Sequence, residues 1–140
     1  MIKFVLLVAL LFACQPSVED ILLSMQKKAC AGDVSGFFKN VNKDKLQINY
    51  FKYAIAEGIA KEDKLKLYQM YKGYLNVLSD DLQRAEEGAF CQHRVLERRV
   101  GKDRAEFTIE LGDKSRQRLA FLRFAKNWLL SSYLPIKVKN

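Results

Sequence analysis

The period of the hydrophobic pattern changes once along this chain, and that change constrains the fold more than any other feature. From Ser17 to Glu87 apolar residues recur at helical spacing. After that they alternate: Ala105, Phe107, Ile109 and Leu111 are interleaved with Glu106, Thr108 and Glu110, the signature of a half-buried strand. Gly101 precedes this strand and Gly112-Asp113 follows it. Phe90 to Arg99, Arg116 to Phe124 and Trp128 to Leu134 read as three more strands, with Ala125-Lys126-Asn127 as a tight turn. Helices gathered first and strands gathered second predict an α+β fold, with N-terminal helices packed on one face of a C-terminal four-stranded antiparallel meander.

The helical half divides at its turn residues. Ser17 followed by Asp20 fits a capped helix start, and Ile21, Leu22, Met25 and Ala29 then follow at helical spacing. Gly32 is expected to stop that helix, and Asp33 to cap a short one carrying Val34, Phe37, Phe38 and Val41. Leu46, Ile48, Phe51, Ile55 and Ile59 mark a third helix, ending near Gly58. The longest periodic run is Asp63 to Glu87, where Leu67, Tyr71, Tyr74, Leu78 and Leu82 lie on one stripe that Gly88 ends.

The first 14 residues carry a different message. Lys3 precedes an apolar run from Phe4 to Phe12, followed by Ala13 and Cys14. This is a charged segment, a hydrophobic segment and a small residue at a cleavage point, as in a secretory signal. The run is shorter than the roughly 20 apolar residues needed to cross a bilayer. Leu11-Phe12-Ala13-Cys14 resembles the lipobox of bacterial lipoproteins, matching at Leu11, Ala13 and Cys14 and departing from it at Phe12. The resemblance implies acylation of Cys14, cleavage after Ala13 and a membrane-tethered envelope protein. Gln15, in place of an aspartate, implies delivery to the outer membrane. Ordinary cleavage after Ala13 is the competing reading, and Leu11 is large for it. The expected division is a signal peptide at 1–13, a lipidated tether at 14–19, one α+β domain at 20–134 and a basic tail at 135–140.

Two further segments carry a second resemblance. Ala31-Gly32-Asp33-Val34-Ser35-Gly36-Phe37-Phe38 and Phe121-Leu122-Arg123-Phe124-Ala125-Lys126-Asn127-Trp128-Leu129-Leu130 resemble the Gly-Asp step and the closing hairpin of small NTF2-like (cystatin-like) lipoproteins. That family implies a sheet curled around a cavity, which in different members holds a ligand, an active site or only side chains. The long helical stretch from Asn42 to Glu87 is larger than the family pattern.

Candidate chemistry is sparse. With Cys14 assigned to the lipid, Cys30 and Cys91 are the even count expected of one disulfide in an oxidising compartment. It would close a loop of about 60 residues and contribute roughly 4 kcal/mol; two buried free thiols are the alternative. His93 is the sole histidine and cannot make a metal site without carboxylate or thiolate partners, which the spacing does not offer; no Ser-His-Asp candidate set is readable either. With Cys91 bridged it has no thiolate beside it, and its reading is structural or solvated. No phosphate loop, HExxH or EF-hand pattern occurs, and no catalytic residue, cofactor or metal is implied. Tyr68, Tyr71 and Tyr74 read as a core edge. The runner-up function is a small-molecule or enzymatic pocket lined by tyrosines and Trp128.

Charge is more informative. Val18 to Phe90 holds 11 Lys/Arg against 11 Asp/Glu, whereas Cys91 to Asn140 holds 12 against 5. The excess therefore sits in the sheet half, mostly on arginines suited to bidentate contacts with phosphate or carboxylate. Arg94, Arg98, Arg116 and Arg118 are the expected contacts for an anionic envelope component or protein partner, and an envelope address disfavours nucleic acid. The expected function is a non-enzymatic binding or accessory domain held at the membrane through Cys14.

Overall fold

The computed structural model describes residues 16–137 and is an α+β fold. Four helices come first: α1 (Val18–Cys30), α2 (Val34–Phe38), α3 (Lys43–Ala56) and α4 (Lys64–Gln83). A 3-10 turn at Ala85–Glu87 leads to four strands, β1 (Arg94–Val100), β2 (Arg104–Glu110), β3 (Arg116–Phe124) and β4 (Asn127–Pro135). They form one sheet in the order β1-β2-β3-β4, with every neighbouring pair antiparallel.

Each helix start follows from a polar cap. Ser17 accepts from the Asp20 N–H while the Asp20 carboxylate accepts from the Ser17 N–H, a reciprocal capping box. Asp33, Asn42 and Asp63 cap α2, α3 and α4 in the same manner through one side-chain oxygen. Gly32 ends α1 in the left-handed region at φ +71°, a conformation that costs glycine nothing. At Gly88 the constraint is space: a Cβ there would meet the Asp81 carbonyl oxygen at 2.5 Å.

The core lies between the helices and the inner face of the sheet. Ala105, Phe107 and Ile109 point inward from β2, Leu119 and Phe121 from β3, and Leu130 and Tyr133 from β4. Met25, Phe37, Leu46, Leu78, Leu82 and Phe90 meet them from the helical side. Phe37 and Phe90 pack edge to face with ring centres 5.0 Å apart, and Phe107 and Phe121 do so at 5.8 Å. Fully burying each such ring contributes about 1.5–3 kcal/mol. A smaller cluster of Ala54, Ala60 and Leu67 joins α3 to α4. Asn49 Nδ2 of α3 donates to the Ser131 carbonyl of β4 at 2.8 Å, and Val41, in the segment before α3, bridges Leu130.

Several expected boundaries shift. The first strand starts at Arg94, not Phe90, because Phe90 to His93 are held by side chains instead of a ladder. The long helical run stops at Gln83, and Ala85 turns left-handed at φ +54° into the 3-10 turn. Ile48, Ile55 and Ile59 stay 38–48% exposed, so α3 buries Leu46 and Ala54 in their place. The signal segment, Cys14, and the last three residues of the basic tail lie outside the described residues.

Candidate functional site

Cys30 ends α1 and Cys91 lies just before β1. Their sulfurs meet at bonding distance, with Cα atoms 4.8 Å apart. Gln26, one turn earlier in α1, donates from Nε2 to the carbonyls of Cys91 and His93 at 2.8 and 3.0 Å. The Asp81 carboxylate, near the end of α4, accepts from the Ala89 and Phe90 N–H groups at 2.7 and 3.1 Å. Three independent ties therefore set the entry angle of β1.

His93 belongs to this joint. It is buried, its ring lies 4.6 Å from that of Phe90, and Nδ1–H donates to the Phe90 carbonyl at 2.7 Å. Burial lowers its pKa, against the opposing pull of that hydrogen bond. With Cys91 joined to Cys30, the imidazole has no thiol to activate.

The arginines distribute according to strand register. Arg94, Arg99, Arg116 and Arg118 share the outer face of the sheet. Arg94 stands opposite Glu110, Arg99 opposite Glu106, Arg118 opposite Thr108 and Arg116 opposite Glu110. Arg98 stands opposite buried Phe107 and points to the other side, where it pairs with Glu19 of α1 at 3.7 Å. The expected quartet is thus a trio plus one residue on the opposite face. In an unbroken strand Arg94 and Arg98, four apart, share a face. A register shift between Val95 and Glu97 inserts one residue and reverses the parity. The same shift brings Arg99 onto the outer face, a member that charge counting alone does not single out.

The outer face is a lattice of both signs. Glu110 pairs with Arg94 at 3.2 Å and Lys114 at 3.9 Å, and Glu106 pairs with Arg104 at 2.8 Å. The Arg104 hydrogen bond holds the Glu106 carboxyl below the usual range, with Arg104, Arg118 and Arg99 adding charge attraction. Among the described residues no helix covers the arginine-bearing part of this face, and Leu122, Leu129 and Leu134 lie half-buried on it. The Arg104–Glu106 pair is largely exposed and contributes about 0–1 kcal/mol, so an incoming anion displaces it at small cost, whereas Glu110 is buried and holds its cations more firmly.

The tyrosines separate. Tyr68 is exposed beneath Lys72, whose ammonium lies 4.7 Å from the ring centre. Tyr71 donates to the Lys43 carbonyl, and burial, with Asp44 adding to it, pushes its phenol up to about 12. Tyr74 stacks on Tyr50 at 4.7 Å and donates to the Tyr133 carbonyl. Between α4 and the ends of β3 and β4 is a cavity of about 280 Å³ whose walls include Tyr74, Asp81, Asp113, Gln117 and Tyr133. Gln117 Oε1 is buried there with no hydrogen-bond partner. The Tyr133 phenol is pushed far up, mainly by burial and further by Asp81 and Asp113. Trp128 is not part of this cavity. It lies at the other end of the sheet beside Pro16 and Lys126, so tyrosines and tryptophan do not line one pocket.

Asp81, Tyr133 and Gln117 are the residues the sequence reading passed over. Gln117 had a signal: it occupies an inward position of β3, two before Leu119 and four before Phe121, where an apolar residue is expected. Among the described residues no helix is long and apolar enough to cross a membrane. No protein-family model, curated protein or solved structure matches the chain.

Proposed function

We propose that this chain is an envelope lipoprotein, acylated at Cys14 and probing its surroundings through a non-enzymatic α+β domain of NTF2-like type. Its binding element is the open outer face of the sheet, and its partner is an anionic envelope component or an acidic protein surface. The observation that carries this reading is the asymmetry of the sheet: helices cover one face, and the other presents Arg94, Arg99, Arg116 and Arg118 to solvent. The four arginines occupy neighbouring register positions across β1 and β3, and guanidinium groups suit bidentate contact with carboxylate or phosphate. Delivery through Cys14 is supported by Leu11-Phe12-Ala13-Cys14.

Two measurements test the two halves. Mass spectrometry of the mature chain is expected to find Cys14 as an acylated N-terminus, and the Cys14→Ser chain to remain unprocessed; an unmodified Cys14 removes the anchor. For the face, retention of the full chain on immobilised polyglutamate is expected to fall steeply with salt. Reversing Arg94, Arg99, Arg116 and Arg118 to Glu is expected to abolish it. Retention that ignores both salt and reversal refutes the face.

A second reading is supported by Gln117. Gln117 lines a cavity together with Tyr74, Tyr133, Asp81 and Asp113, and its carbonyl oxygen is buried without a hydrogen-bond partner among the described residues. That donor-poor lining suits a small ligand bringing its own N–H groups, such as an organic ammonium. A thermal-shift screen of alkylammonium and arylalkylammonium compounds tests it. Stabilisation lost in Gln117→Leu supports the site, and a flat screen eliminates it.

A further inference from the structure

The described chain begins at Pro16, and Pro16 lies against the β3–β4 hairpin. A depression of about 260 Å³ opens there, bounded by Pro16, Lys39, Asn40, Lys126 and Trp128. Lys39 and Lys126 are exposed and form no ion pair with another described residue. Asn40 Nδ2 is buried and donates to nothing. Two ammonium groups without an ion pair suit the oxygens of a phosphodiester.

The surroundings agree with that chemistry. The strands run so that the β1–β2 turn, with Lys102, and the β3–β4 turn share this end of the sheet. Val100 and Phe124 are 52% and 38% exposed at these turns, apolar surface presented to solvent. The acidic groups here are Glu19, paired with Arg98, Asp20, which caps α1, and Asp103 in the first turn. At the opposite end Asp81 and Asp113 border one cavity, and Glu86 and Glu87 lie close by in the 3-10 turn. Arg94, Lys114 and Arg116 also lie at that opposite end.

We propose that the depression beside Pro16 takes the headgroup phosphodiester of an anionic lipid, with the β1–β2 and β3–β4 turns seated on the bilayer. This rests on the assignment of Cys14 as the acylated residue. Only Gln15 separates Cys14 from Pro16, and two residues span at most about 7 Å when fully extended. An anchor that short lets only the Pro16 end reach the headgroups. The arginine face then stands upright from the membrane, free for a different partner.

Trp128 is the protein's single tryptophan and lines the depression, so its emission reports the contact. The full mature chain is reconstituted in vesicles of phosphatidylcholine, with or without phosphatidylglycerol, carrying a headgroup spin label. It is expected to float with both vesicles, and Trp128 to be quenched in those containing phosphatidylglycerol only, less so at high salt. Lys39→Glu with Lys126→Glu is expected to lower the docked-to-undocked ratio about 30-fold or more, the factor for two cations near an anionic leaflet. Arg116→Glu with Arg118→Glu is expected to leave quenching unchanged. A chain that fails to float overturns the anchor and this inference with it. A chain that floats with Trp128 unquenched, or quenched equally in both vesicles, overturns the docking alone. Loss of quenching in the Arg116/Arg118 variant in place of the Lys39/Lys126 variant also overturns it.

Discussion

Replacing Cys30 and Cys91 together by Ala tests how the two halves of the fold are joined. The linked residues are 61 apart in sequence. On the chain-entropy account, closing a loop of that length removes about 4 kcal/mol of conformational freedom from the unfolded chain. Both side chains are only partly buried, so the lost packing adds little. A domain of about 120 residues has an unfolding entropy near 0.25 kcal/mol/K, and the expected fall in Tm is about 16 °C. The urea slope should rise as well, since an unbridged chain exposes more surface when it unfolds. Circular dichroism gives both quantities, and alkylation without reductant, followed by peptide mass spectrometry, reports the thiols directly. A fall in Tm below about 3 °C, or alkylated Cys30 and Cys91 in the native preparation, would refute the reasoning. The Gln26 and Asp81 contacts would then be the ties that hold β1.

Those contacts carry expectations of their own. Asp81→Asn replaces a carboxylate that accepts from two backbone N–H groups with an amide that offers one acceptor. The expected cost is about 2–3 kcal/mol by urea denaturation, and an unchanged midpoint would show that the turn holds without it. His93 is protonated more readily in the unfolded chain, near its ordinary 6.5, than in the fold, where burial lowers its pKa. The unfolded state therefore binds the proton first, and stability present above about pH 6.5 is lost as pH falls toward the folded value. A plot of Tm against pH should slope downward from about pH 7 to 5, and His93→Gln should flatten that part of the curve. An identical slope in the variant assigns it to other groups.

Local structure is legible in the sequence where one residue decides the outcome. Ser17 with Asp20, Gly32, and Asp33 each act within a few residues of their own position, and β3 spans Arg116–Phe124 as its alternation indicates. What resisted reading depends on residues distant in the chain. Phe90 to His93 have strand-like composition, yet Asp81, Gln26 and Cys30 hold them in another geometry. Arg94 and Arg98 look equivalent until a one-residue irregularity in β1 puts them on opposite faces. Tyr133, far from the other tyrosines in sequence, meets Tyr74 only through the packing of α4 on β4.

The two borders of the sheet are not alike. At β4 the segment Asn40–Asn42 exchanges backbone hydrogen bonds with Leu130 and closes part of that border. Among the described residues β1 has only β2 for a neighbour, so its far side offers unpaired backbone groups to any other strand. Many copies crowded side by side would find there a template for pairing with one another. The irregularity at Val95/Glu97 breaks the repeat such pairing requires, and the positive charges along β1 repel a second copy of the same strand. Straightening it by deleting Leu96 would change more than which way an arginine points: it would make this border a place where chains self-associate.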